Sequence, residues 1–369
     1  MDKKVLLITM GGTIAGNVAT TKKEGENIKG ENEFSMILSD TRVSIENTSG
    51  IKVTIDHFPL CKIDSSDILP EQWIALAKKI KEQYDSFDAF LVTHGTNTMG
   101  YTAAALSFSL ANLNKPVIIT GSQVPAGMPG SDAVMNLENS LRVAVLNREE
   151  GEKIKGVLVV FGSHIITGTR VKKETEFDYD AFKSFGISSI GRIGRIIDIN
   201  DDNLKKHVSY LSTNKYTRAK TANDLICENE FDMRIVSLTE FPGMDANIFK
   251  TLVDNNRIKG FILRAFGAGD ATTKLISTLE YLKDREIPII ITTQAPNGNS
   301  NFQVNEPGQA IAKGKLAIPA FDMSIESQTT KLAWLLAKKD KGEIGYKQLC
   351  EEMINNIRGE VNHIWEVKM

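Results

Sequence analysis

Runs of apolar, β-branched residues return along this chain at intervals that leave room for a helix between them. Residues 5–10, 51–60, 89–93, 117–120 and 157–161 are such runs. Each is continuous rather than alternating, the pattern of strands buried on both faces of a parallel sheet. Between the second and third runs, Pro70-Glu71 opens a helix, with proline early and an acid in the first turn. Trp73, Ala77, Ile80 and Tyr84 follow at spacings of four, three and four, which puts them on one face. Residues 98–111 and 132–146 read as further helices. Parallel strands need crossover connections, so this rhythm points to a doubly wound α/β domain with a mainly parallel sheet.

The rhythm then breaks. Residues 162–185 are polar and mixed, and 196–230 carry Asp201-Asp202, Lys205-Lys206 and Asn- and Thr-rich stretches. The latter reads as a linker with little core of its own. The rhythm restarts at 234–241, 260–266 and 287–293, separated by helical patterns at 246–256 and 271–282. Residues 327–339, with Leu332, Leu335 and Leu336 on one side, and 344–357 read as closing helices. The expected organisation is a larger catalytic α/β domain at 1–195, a linker at 196–231 and a smaller C-terminal α/β domain at 232–369. Two domains suit a chain of 369 residues. Residues 17–33, rich in Lys, Glu, Gly and Asn, read as a mobile loop.

Composition narrows the partners. With 44 Lys and Arg against 46 Asp and Glu, the formal charge is −2, which offers no overall basic field to a nucleic acid. Cys61, Cys227 and Cys350 are too scattered for a disulfide framework or a CxxC metal site and fit a reducing compartment. Lys3-Lys4 ahead of an apolar run resembles a signal peptide, but Gly11-Gly12 ends that run short of the usual ~7–15 residues. A buried first strand is the reading there. No apolar run approaches the ~18 residues of a transmembrane helix. A cytoplasmic protein with no membrane partner is expected.

In parallel α/β sheets, ligands bind beyond the carboxyl ends of the strands. The first strand is followed by Gly11-Gly12-Thr13-Ile14-Ala15-Gly16 and the second by Asp64-Ser65-Ser66-Asp67. His94-Gly95-Thr96-Asn97-Thr98 follows the third and Gly121-Ser122-Gln123 the fourth. Hydroxyls, amides and carboxylates thus recur at one rim, as a polar pocket for a small ligand requires. Each loop taken singly fits a helix N-cap as well. A nucleotide is the weaker alternative. Gly11 and Gly16 have P-loop spacing, but Asn17-Val18 stand where Lys and Ser or Thr belong. The five histidines are dispersed, without a metal-ligand spacing, and His94 reads as a structural hydrogen-bonder at its loop base. A threonine nucleophile remains, with Thr13 and Thr96 beyond neighbouring strands. Such a hydroxyl needs a base, and a lysine of lowered pKa can serve. Lys173, in Gly168-Thr169-Arg170-Val171-Lys172-Lys173, is the best local candidate, although by spacing alone the run reads as a solvated surface.

These loops resemble the bacterial-type L-asparaginase family, and its cytoplasmic type I branch most closely. The T-G-G-T-I-A-G signature reads Met10-Gly11-Gly12-Thr13-Ile14-Ala15-Gly16 here, and H-G-T-D-T-M reads His94-Gly95-Thr96-Asn97-Thr98-Met99. Tyr101-Thr102-Ala103, Lys115-Pro116-Val117-Ile118-Ile119-Thr120-Gly121-Ser122-Gln123 and Asp64-Ser65-Ser66-Asp67 continue the likeness, as do Ile262-Leu263-Arg264 and Met323-Ser324-Ile325-Glu326. The resemblance implies an amidohydrolase acting on L-asparagine or a related small amide. Thr13 would attack the carboxamide and release ammonia, Thr96 and Lys173 would handle protons, and backbone N–H groups near Thr96 and Asn97 would hold the oxyanion. Asp64, Ser65 and Ser66, with Gly95 and Ser122 beside them, would hold the substrate. It implies a homodimer or homotetramer, with no metal and no organic cofactor.

Three positions depart from the family. Asn97 replaces an aspartate that contacts the substrate ammonium and the lysine, at a cost of about 1.5–3 kcal/mol for a charge-assisted hydrogen bond. No tyrosine occurs between Gly16 and Phe34, where the family's lid carries one, and Ala295 follows Thr293-Gln294 where type I enzymes can carry an effector-site cysteine. The alternative expectation is therefore a divergent relative, weakly active or inactive, that binds a small ligand as a sensor. An amidotransferase-like subunit acting on aminoacyl-tRNA is a further alternative, against which the neutral charge speaks.

Overall fold

A computed structural model of the chain describes residues 2–11, 26–211, 224–254, 257–302 and 305–362, with 26–35 as backbone only. It divides into two units, Met1–Asn229 and Glu230–Met369. The first unit runs β1 (Asp2–Gly11), α1 (Glu26–Ser49), β2 (Lys52–Ile63), α2 (Pro70–Gln83), β3 (Ala89–Thr93), α3 (Met99–Ser109), β4 (Leu110–Ala111), β5 (Pro116–Thr120), α4 (Ala133–Ala144) and β6 (Gly156–Phe161). Then come β7 (His164–Thr167), β8 (Val171–Lys173), β9 (Phe182–Ser184), β10 (Gly191–Ile193), β11 (Ile197–Ile199), α5 (Asp201–Ser209) and β12 (Ile226–Cys227).

Its eight-stranded sheet has the order β11-β10-β7-β6-β5-β3-β1-β2. From β2 to β6 the neighbours pair in parallel; β7, β10 and β11 continue antiparallel. The chain steps outward from β1 to β2, then returns through α2 to β3 on the other side of β1. Strand order therefore reverses between β1 and β3, the place where open α/β sheets form a ligand crevice beyond the carboxyl ends of the strands.

Period-two alternation sends Leu6, Ile8, Met10, Phe90 and Val92 to one face, against Leu76, Ala77 and Ile80 of α2 and Met99, Ala103 and Leu106 of α3. Val5, Leu7 and Leu91 take the other face, against Leu137 and Leu141 of α4 and Ile45 of α1. Covered on both sides, β3, β5 and β6 are buried along their whole length. This is why their sequences do not alternate in polarity. The α2 helix starts where expected, with Pro70 in its first turn, the Leu69 N–H donating to Gln72 Oε1 at 2.9 Å, and Trp73, Ala77 and Ile80 buried.

Several expectations need correction. The second strand is the sheet edge rather than a strand buried on both faces, and Val53 is its one buried residue. With only β1 beside it, β2 carries Lys52, Asp56, His57 and Lys62 among its apolar residues, as exposed edge strands do. The expected loop at 17–33 overlaps α1, which begins at Glu26; residues 12–25 lie outside the described ones. On α1 the buried stripe includes Thr41 beside Ile45, which breaks the apolar pattern. Residues 162–185 hold β7, β8 and β9, strands of three or four residues and too short to mark a period. The stretch from 196, read as linker, carries β11 and α5 within the first unit. Asn200 caps α5 by accepting the Asn203 N–H at 3.0 Å, and Leu204 buries itself among charged neighbours.

The second unit runs β13 (Ile235–Thr239), α6 (Asn247–Asp254), β14 (Gly260–Ala265), α7 (Ile276–Asp284), β15 (Ile289–Thr293), α8 (Glu306–Gly314), β16 (Ile318–Pro319), α9 (Ile325–Asp340) and α10 (Tyr346–Ile354). Its four strands pair in parallel in sequence order, with Phe249, Phe261, Leu263, Leu279 and Ile291 in one core. Lys331 of α9 is wholly buried, 2.5 Å from Glu360, and donates to the carbonyls of Met353 and Asn355 at 3.1 and 2.6 Å. Among the described residues of the chain, no helix is long and apolar enough to cross a membrane.

Candidate active site

The crevice is built from the ends of β1, β2 and β3. At the end of β1 the register with β2 slips, and Gly11 comes to lie opposite Ile63. Gly11 has φ +93°, and a Cβ there would sit 2.5 Å from the Ile63 carbonyl oxygen. Both facts demand glycine. Gly12 and Thr13, the expected nucleophile, lie outside the described residues.

Directly after β2, Asp64 caps a turn of 3₁₀ helix over Ser65–Asp67, its Oδ1 accepting the Ser66 N–H at 2.8 Å. That bond and a side-chain bond from Ser66 hold the Asp64 carboxyl below its ordinary pKa. Ser65 is buried, and its carbonyl accepts the Thr98 hydroxyl at 2.6 Å. Gly95 lies against it, where a Cβ would be 2.6 Å from Ser65 Oγ.

On this frame Lys173, the last residue of β8, meets the loop after β3. Its Nζ donates to Thr96 Oγ1 at 2.8 Å and to Asn97 Oδ1 at 3.1 Å. The Asn97 Nδ2 in turn donates to Ser66 Oγ at 3.2 Å. The lysine is held by the β8–β9 hairpin, in which it pairs with Phe182, a residue buried against Phe161. Partial burial lowers the Lys173 pKa, and the charge of Glu176 opposes that shift. A weakly held ammonium beside a hydroxyl can give up and take back a proton, which is the requirement for activating an alcohol. The structure thus brings together Thr96, Asn97, Lys173 and Ser66 by hydrogen bonds, with Ser65 and Gly95 buried beside them and Asp64 exposed at the head of its turn.

Ser122 is buried at the neighbouring strand end, behind Gly121, whose Cβ would lie 2.4 Å from the His94 carbonyl oxygen. That part of the rim is tied by groups the sequence did not single out. Asp132 accepts the Gln123 and Val124 N–H groups at 3.0 Å, and Asn136 donates to Gly121 O at 2.9 Å while accepting the Gly162 N–H at 2.9 Å. Two further missed residues act at His94. Thr102 Oγ1 lies 2.8 Å from its Nε2, and the Trp73 indole N–H donates to Thr102 Oγ1 at 3.0 Å. Trp73 reads in the sequence as one of an apolar stripe, with nothing to mark its N–H as a donor to a buried hydroxyl. Among the described residues no group of three or more His, Cys, Asp or Glu side chains is placed to hold a metal ion.

A hydroxyl held against a half-buried amine, where strand order reverses in a doubly wound sheet, is an arrangement that acyl-transfer chemistry can use. Comparison with known proteins narrows this class. The family description "Asparaginase, N-terminal" matches residues 4–205, and "Glutaminase/Asparaginase C-terminal domain" matches 234–344. The chain belongs to the asparaginase family and is an amidohydrolase of that type. L-asparaginase 1 of Escherichia coli is 33% identical over 308 residues, 83% of each chain. A glutamyl-tRNA(Gln) amidotransferase subunit of Methanococcus maripaludis is 31% identical over 312 residues, 82% of this chain and 69% of that one. The structure of the thermostable L-asparaginase from Thermococcus kodakarensis superposes with a TM-score of 0.79 at 27% identity, covering 97% of this chain and 99% of that one.

Proposed function

We propose that this enzyme hydrolyses L-asparagine, or a related small amide, to the acid and ammonia through a threonine nucleophile. The observation that carries the reading is the 2.8 Å contact from Lys173 Nζ to Thr96 Oγ1 at the crevice. Thr13 attacks the carboxamide carbon, its hydroxyl proton passing toward the Thr96–Lys173 pair. Backbone N–H groups near Thr96 and Asn97 hold the oxyanion. The C–N bond breaks, ammonia leaves with the transferred proton, and water cleaves the resulting ester to regenerate Thr13. Asp64, Ser65, Ser66, Gly95 and Ser122 line the pocket that holds the remainder of the substrate, and Asn97 orients Lys173. The reading includes a cytoplasmic homodimer or homotetramer that uses neither metal nor organic cofactor, with catalysis in the N-terminal domain.

Ammonia release from L-asparagine and from L-glutamine tests it, with Thr13→Ala and Lys173→Met beside the parent. Turnover that disappears in Thr13→Ala supports the proposal; turnover that survives there refutes the nucleophile. One observation favours a second reading, a ligand-binding relative of little activity. The Asn97 side chain is bonded at both ends, to Lys173 and Ser66, and is uncharged. Ligand-induced thermal stabilisation without ammonia release would support that reading.

A further inference from the structure

We propose that Trp73, Thr102 and His94 form a buried relay that positions the Gly95–Thr96 peptide for the reaction. The inference rests on the amidohydrolase reading of the same site. His94 is fully buried at the end of β3, and its backbone N–H donates to the Thr120 carbonyl at 2.9 Å, which anchors it to β5. Its ring has one polar neighbour on each side, the Gly95 carbonyl 2.6 Å from Nδ1 and the Thr102 hydroxyl 2.8 Å from Nε2.

Donor and acceptor chemistry assigns the hydrogens. An indole N–H only donates, so the Thr102 oxygen accepts from Trp73 at 3.0 Å. A carbonyl oxygen only accepts, so the ring nitrogen facing Gly95 must carry a hydrogen. In a neutral imidazole Nε2 is then bare and accepts the Thr102 hydroxyl hydrogen. Burial favours that neutral ring and sets the His94 pKa at about 4. Every hydrogen points the same way, from Trp73 through Thr102 and His94 to the Gly95 carbonyl.

That carbonyl belongs to the peptide whose N–H is on Thr96. A trans peptide sets its C=O and N–H in opposite directions. Holding the carbonyl on the buried ring therefore turns the Thr96 N–H away from the ring and fixes where the Thr96 side chain leaves the backbone. From the other side, Ser65 presses against Gly95 closely enough to exclude a Cβ. The relay and Ser65 clamp the loop between them, and the Thr96 hydroxyl stays within reach of Lys173. Trp73 and Thr102 are positioning residues on two different helices, α2 and α3, and neither belongs to the bonded group at the crevice.

The test has two arms. Thr102→Val removes the hydroxyl at constant shape, Trp73→Phe removes the indole N–H, and Thr102→Ser restores a hydroxyl. The expected result is a fall in kcat of about 10- to 100-fold in Thr102→Val, with KM changed less than about threefold and kcat largely recovered in Thr102→Ser. Trp73→Phe should fall between, and serves if the valine variant does not fold. A kcat within twofold of the parent in both Thr102→Val and Trp73→Phe would overturn the proposal, as would a loss carried by KM alone. The second arm is ¹⁵N NMR of the histidine rings, assigned with His94→Gln. His94 protonated at Nδ1 with a bare Nε2 supports the relay; a hydrogen on Nε2 overturns it. If the parent releases no ammonia from any amide, that counts against the amidohydrolase reading, and the ring spectrum judges the relay by itself.

Discussion

Replacing Asn97 by Asp puts a negative charge where a neutral carbonyl now accepts from Lys173 at 3.1 Å. The geometry needs no adjustment, because Ser66 can turn its hydroxyl to donate where the Asn97 amide donated. Asn97 is exposed, so the attraction is screened as in water. A unit pair at that distance in that medium is worth about 1.3 kcal/mol, or roughly one pKa unit. The sign follows from the form of the lysine that works. A proton acceptor must be neutral, and burial already favours the neutral form by lowering the Lys173 pKa. The carboxylate favours the ammonium instead and raises that pKa. The alkaline rise of kcat with L-asparagine should therefore move upward by about one pH unit in Asn97→Asp, measured between about pH 6 and pH 10. A rise that shifts by less than about 0.3 unit, or shifts downward, would refute a proton-accepting role for Lys173.

Three further outcomes are expected. Gly11→Ala places a Cβ 2.5 Å from the Ile63 carbonyl oxygen at φ +93°, and should lower stability by at least about 2 kcal/mol, seen as a Tm drop of about 5 °C; an unchanged Tm would show that the end of β1 is free to move. Burial holds His94 and His207 at about 4 against an unfolded 6.5, so the unfolded chain binds protons first, and each histidine removes up to about 3 kcal/mol of stability as pH falls from 6.5 through 4. The slope of Tm with pH over that window should shrink in His207→Gln, which keeps a donor for the Lys155 carbonyl; an equal slope would put the histidine outside the acid response. Lys331→Met strands Glu360 without its cation and should cost about 3–5 kcal/mol in urea unfolding, with part regained in Lys331→Met/Glu360→Gln.

What could be read ahead of the structure was whatever enclosure writes into composition. The runs that became β3, β5 and β6 are covered on both faces, and their uninterrupted apolar residues announce it. The run that became the edge strand β2 reads as buried only if its Lys52, Asp56 and His57 are passed over. The α1 helix hides because its buried stripe includes Thr41, and α5 hides because Leu204 stands among charges. At the crevice, the loops after the strands were legible from chemistry alone, since turns do not require hydroxyls. The contact between Thr96 and Lys173 was not. It spans 77 residues and depends on the short β8–β9 hairpin, whose strands leave no periodic trace. Nor does an apolar stripe disclose that the N–H of Trp73 is bonded to Thr102.

That 77-residue span also sets when the amine reaches the crevice during synthesis. Ribosomes deliver β1, β2 and β3 first, and the loop from His94 to Thr98 can take its place on them early. Lys173 comes from beyond β6, and its strand is held by β9 still later. A nascent chain whose sheet is complete only through β5 has the hydroxyl-bearing rim but no lysine to act on it. In chain order, the β8–β9 hairpin that brings Lys173 to Thr96 is therefore completed only after the strands of the parallel core have been made.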